Sequence, residues 1–135
     1  MRLSVKRVFL HVILPLLAGF FIFFFFRPDV ILVQFFSKRE PLIPFDQLTK
    51  LQEWLLFSGP DFCWAYSLSS ALFIWEKWQG KPIRFFPFVV LLFIIGSELI
   101  QFLLTSAFTP DWVDVLAALL AFSLSYFFVR KNEKH

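Results

Sequence analysis

The chain has 135 residues, 59% of them hydrophobic and 17% charged, with 22 phenylalanines against 4 glycines. Soluble domains are usually about 45–50% apolar and about 25% charged, so this composition excludes an ordinary soluble domain and also a disordered chain. A single cysteine excludes a disulfide framework, and a net charge of +3 is too small to mark a nucleic-acid partner.

A membrane-spanning helix needs about 20 predominantly apolar residues to cross a hydrocarbon core about 30 Å thick. Four windows meet or approach that requirement. They run approximately over residues 8–26, 60–78, 85–106 and 112–129. The first follows Arg2, Lys6 and Arg7 and ends abruptly at Arg27-Pro28-Asp29. Its apolar run is longer than that of a cleaved signal peptide, and no small-residue cleavage site follows, so it reads as a retained span. Pro15 and Gly19 are the places where it can bend.

The stretch 45–57 has apolar residues at Phe45, Leu48, Leu51, Trp54, Leu55 and Phe57, with polar residues between them. That spacing predicts a short amphipathic helix. It is too short and too charged to span, so it is expected to lie on the interface or cap the bundle. Ser58-Gly59-Pro60 would then turn the chain sharply into the second span.

Lysine and arginine placement sets orientation. The N-terminus, the connection between spans two and three, and the C-terminal tail hold nine of the thirteen basic residues. Both termini are therefore expected in the cytoplasm. The expected architecture is one all-α membrane domain over residues 1–135, with four transmembrane helices and the interfacial helix outside. Its partner is first of all the lipid bilayer, with no nucleic acid.

Polar residues within the spans are the informative ones, because a charge at mid-membrane costs about 2.5–3.5 kcal/mol on insertion scales. Glu98 and Gln101 lie three apart in the third window, on one helix face with Thr105. Asp61 opens the second span, and Asp111 and Asp114 open the fourth. Asp61, Glu98, Gln101, Asp111 and Asp114 thus form a candidate binding cluster on the outer side, with Arg27 as a counter-charge. No comparable gathering is expected on the cytoplasmic side. The plainer reading is that Asp61 and Asp111 only favour helix starts, and that Glu98 is satisfied locally.

No metal-loop spacing, phosphate loop or nucleophile motif occurs, so neither a cofactor nor a metal is expected and no residue is assigned a catalytic role. His11 reads as a snorkelling or hydrogen-bonded core histidine and Cys63 as an inert buried thiol. Ser67, Ser69 and Ser70 suit close helix packing with weak cross-helix hydrogen bonds. The five tryptophans read as depth anchors.

Pro60-Asp61, Glu98-x-x-Gln101 and Asp111-Trp112-x-Asp114-Val115-Leu116-Ala117 occur in an order that resembles the VanZ-like family of small four-span bacterial membrane proteins. That family is named for a member associated with teicoplanin resistance. The resemblance covers roughly the last 80 residues. Ala118 stands where the family usually carries an asparagine, and Ala121 and Ser125 stand near its glycines. The resemblance implies an envelope role in the bacterial inner membrane, with a lipid-linked or cell-wall ligand. An alternative of another class is a non-catalytic small subunit packed against a larger membrane complex. A third, an enzyme acting on lipid headgroups, would need a nucleophile or metal set that the residues do not name.

Overall fold

The structure is a computed structural model that describes residues 5–26, 43, 45–80, 83–103 and 112–131, without the side chains of Phe45, Glu98, Gln101 and Phe102. Among the described residues all regular structure is helical and there is no strand. Four helices follow in order: α1 (Val5–Phe26), α2 (Lys50–Trp78), α3 (Phe86–Leu103) and α4 (Trp112–Lys131). Only α1 and α4 are both long and apolar enough to cross a membrane on their own composition; α3 contributes a shorter apolar stretch, Phe86–Ser97. The expectation of four such helices is therefore met by two.

The reason α2 falls short lies in its position. It packs against all three other helices and turns its polar side chains toward them. Ser58, Ser67, Ser69, Ser70 and Glu76 are all buried on α2, whereas phenylalanines, leucines and tryptophans cover the outside of the molecule. A central helix surrounded by others does not need an apolar surface, so its serines dilute its hydropathy without meeting solvent or lipid. Among the described residues no buried side-chain nitrogen or oxygen lacks a hydrogen-bond partner. All five tryptophans are exposed at the surface.

The structure also corrects the separate interfacial helix over 45–57. A short 3-10 turn, Phe45–Gln47, precedes a single helix that begins at Lys50 and continues without a break through Ser58-Gly59-Pro60. Its start is set by a capping box. The Thr49 hydroxyl accepts the Gln52 backbone N–H, and the Gln52 side-chain oxygen accepts the Thr49 N–H at 3.0 Å. At about 1.5 Å per residue, the 29 residues of α2 extend about 43 Å, well beyond a hydrocarbon core of about 30 Å. Ser58, Gly59 and Pro60 form a crossing point where other helices approach, not a turn. A Cβ placed on Gly19 of α1 would lie 3.0 Å from the Cys63 Cβ and 3.5 Å from the Pro60 carbonyl oxygen. A glycine is needed there to let the two backbones come this close.

Antiparallel α1 carries a wide π turn at Phe9–Ile13, immediately before Pro15. A proline ring crowds the carbonyl four residues earlier, and the wider turn relieves that crowding. Two α2 side chains anchor this segment. Ser67 donates to the Val12 carbonyl at 2.9 Å, and the Tyr66 hydroxyl lies 2.8 Å from His11 Nδ1. His11 is thus hydrogen-bonded, as its sequence context suggests.

Helix α4 runs parallel to α2. Hydrogen bonds at sequence separations of 56, 55 and 54 join them, at Ser58–Asp114, Ser70–Ser125 and Glu76–Arg130. Ala117, Ala118, Ala121 and Ser125 form the small-residue seam that allows this approach. Phe73, Ala65, Val90, Ile94 and Val129 complete the core, with α3 contributing Val90 and Ile94. The Ser70–Ser125 bond is 3.0 Å long and wholly buried. Ser70→Ala is expected to cost about 0.6 kcal/mol, and the Ser70→Ala/Ser125→Ala pair less than the sum of the two single changes. Thermal melting of the four variants in detergent, treated as a double-mutant cycle, checks this; strictly additive losses would show that the bond contributes nothing.

Candidate functional site

The expected polar cluster draws on the turn of α2 around Ser58 and on the first turn of α4. Asp114 lies in the first turn of α4, where a carboxylate favours the positive end of the helix dipole. It also reaches across to α2, where the Ser58 hydroxyl donates to Asp114 Oδ1 at 2.9 Å. Asp61 follows Ser58 by three residues and shares that side of α2. Both aspartates are half-buried, and both have further interaction partners. Asp114 is therefore held between helices, and the structure links it to the same turn of α2 that carries Asp61.

The other members of the cluster are not placed by the structure. Glu98 and Gln101 lie on α3, but their side chains are outside the described residues, as are Asp111, Thr105 and Arg27 altogether. A hydroxyl–carboxylate contact supplies hydrogen-bonding groups for a polar ligand. It does not supply a presented nucleophile, because Ser58 is buried. Among the described residues no three His, Cys, Asp or Glu side chains stand together as a metal-holding group.

A second polar cluster lies at the opposite end, where the sequence reading expects none. Arg130 of α4 forms a bidentate pair with Glu76 of α2: Nε donates to Oε2 at 2.9 Å and Nη2 to Oε1 at 3.0 Å. Glu76 Oε1 also accepts the Ile83 backbone N–H at 2.9 Å, and Arg130 Nη2 donates to the Ile83 carbonyl at 3.1 Å. The pair therefore clasps the connection between α2 and α3. Gly80 prepares that connection, since its φ of +71° ends α2 in a left-handed conformation that other residues disfavour. The Arg130 guanidinium also lies 5.9 Å from the Phe73 ring centroid and 5.5 Å from that of Tyr126. Lys77 donates to the Val129 carbonyl in the wide turn that ends α4.

No protein-family model matches this sequence, and no curated protein or solved structure is significantly similar to it.

Sequence reasoning missed Glu76 and Arg130 because each looks like an ordinary charged residue trimming the end of a span. The signal was the equal depth of two parallel helices. If α2 and α4 both run from the outer to the inner side, an acid near the end of one and a base near the end of the other fall at one level. Ser58 was missed for a related reason, since it was assigned to a turn.

Proposed function

We propose that this chain is a multi-pass protein of the bacterial inner membrane, with four spanning helices and both termini in the cytoplasm. In this reading it acts as a VanZ-like envelope protein. Its outward polar cluster, Asp61, Glu98, Gln101, Asp111 and Asp114, contacts a lipid-linked or cell-wall-related ligand, with a role in tolerance to glycopeptides such as teicoplanin. The observation that supports it best is the Ser58–Asp114 bond, which fixes a carboxylate between α2 and α4 at the end opposite the basic one. The inverted distribution of residues, serines inside and phenylalanines outside, supports a lipid environment. Placing the basic segments inward supports the orientation.

The reading predicts that Glu98→Gln, Gln101→Leu and Asp114→Asn each lower teicoplanin tolerance in cells that express the protein at equal levels. The measurement is the inhibitory concentration for each variant against the parent. Three variants indistinguishable from the parent would remove the ligand-binding role, leaving the cluster as architecture. A reporter fused to the C-terminus checks orientation separately, and is expected to be active only if its activity requires the cytoplasm.

A further inference from the structure

His11 lies half-buried in the π turn of α1, with Nδ1 2.8 Å from the Tyr66 hydroxyl. Tyr66 sits well inside the window 60–78 of α2, so the pair falls at hydrocarbon level in the proposed membrane. At that level the chain offers no counter-ion. Neither α1 nor the stretches 62–75 of α2, 86–97 of α3 and 115–129 of α4 contains an acidic residue. The titratable and charged groups around His11 are Arg7, four residues earlier on α1, and Tyr66 and Cys63 on the side of α2 that meets α1, with Lys77 further toward the inner end. Arg7 has partners of its own, and its charge opposes a second cation on this helix rather than compensating it.

A neutral imidazole suits this place. Its Nδ1 accepts the Tyr66 hydroxyl proton or donates to that oxygen, according to the tautomer. A protonated ring can only donate. The bond to Tyr66 can reverse to allow that, but the new charge has no acid to meet in a medium that penalises ionised side chains. The segment around it is also lightly held. The π turn Phe9–Ile13 departs from the regular ladder next to Pro15, and two α2 side chains secure it: Tyr66 at His11, and Ser67 at the Val12 carbonyl. Neither this turn nor the adjoining Val5–Val8 contains a buried residue.

We infer that protonation of His11 releases the N-terminal, inner end of α1 from α2, so that the seat of this helix on the bundle responds to pH. Histidine is the side chain whose charge ordinarily changes near neutral pH. In the proposed orientation the released end faces the cytoplasm, and acidification there is the stimulus. The inference rests on the membrane placement proposed above and is independent of the outer cluster.

The full-length protein in phosphatidylcholine nanodiscs is followed by amide hydrogen exchange at about pH 8 and about pH 5.5, with rates corrected for the intrinsic pH dependence of exchange. Protection across Val5–Leu14 is expected to fall about tenfold at the lower pH, while protection across 115–125 in α4 stays unchanged. His11→Gln keeps a neutral hydrogen-bonding group and is expected to hold its protection at both values. His11→Lys carries a charge at both and is expected to show the low-pH behaviour throughout. Parent protection that is independent of pH overturns the inference. An equal fall in His11→Gln also overturns it, because other groups would then carry the response, as does an equal fall in α4, which would mean general loosening. His11→Lys protected like the parent at the higher pH overturns it as well. An alkaline carbonate wash of membranes keeps the two failures apart. Release of the protein refutes the membrane placement, whereas a retained protein with pH-independent protection refutes this switch alone.

Discussion

Replacing Glu76 with glutamine is expected to destabilise the protein by about 3–5 kcal/mol, the usual range for removing one partner of a buried ion pair. Glu76 is buried at 2% and Arg130 is 18% exposed, so solvent screening is small at the carboxylate. The loss is not confined to one contact. Arg130 would keep its charge beside the rings of Phe73 and Tyr126 without its counter-ion, and a single amide oxygen could no longer serve both the Ile83 N–H and the two-pronged Arg130 fork. The α2–α3 connection would loosen, since both the N–H and the carbonyl of Ile83 are tied to this pair. The measurement is the unfolding midpoint in detergent for the parent, Glu76→Gln, Arg130→Gln and the double variant. The double variant is expected to be less destabilised than the sum of the single changes, because it leaves no uncompensated charge. Single variants that melt with the parent would mean that the pair is not formed in solution.

The second large effect is expected at the α1–α2 crossing. Gly19→Leu places a side chain where even a Cβ would lie 3.0 Å from the Cys63 Cβ and 3.5 Å from the Pro60 carbonyl oxygen. Neither of those atoms belongs to the flexible end of a side chain, so the helices themselves must separate. Overpacking of this kind typically costs about 1–3 kcal/mol. It would also strain the bonds that seat α1 on α2, Ser67 to Val12 and His11 to Tyr66. Cys63 offers a direct readout. It is the only cysteine in the chain and is half-buried, so maleimide labelling reports on this crossing alone. Gly19→Leu is expected to label faster than the parent and Gly19→Ala only slightly faster. Identical labelling rates in all three would show that α1 does not pack here.

The helices that face outward were legible in the sequence, whereas of the central one only the part from Pro60 to Trp78 was. α1 begins and ends close to its apolar window, because a helix exposed almost all round must be apolar almost all round. The same reasoning fails for α2. Its serines and its Glu76 read as interruptions of a weak span, although they are the groups that meet α1 and α4. Ser58-Gly59-Pro60 reads as a turn because proline and glycine usually punctuate a chain. Within a packed bundle the same residues serve as a close-contact surface. The Thr49–Gln52 capping box marks the true start of α2.

The candidate site divides in the same way. Asp114 could be located from its place at a helix start, and its position on α4 agrees. That it bonds to Ser58 depends on two helices with parallel directions and a fixed register, which no local pattern encodes. Glu76 and Arg130 lie 54 residues apart, and nothing in either neighbourhood announces the other.

Composition by itself determined that the chain is helical and that its surface is apolar, because backbone groups denied water must be satisfied within helices, and phenylalanine-rich faces must meet something other than water. Tertiary structure alone decided which helix lies at the centre and which charges are neutralised. Those outcomes depend on pairwise contacts between helices, whose energies come from close approach and complementary bonds across long sequence separations rather than from the hydropathy of any one segment.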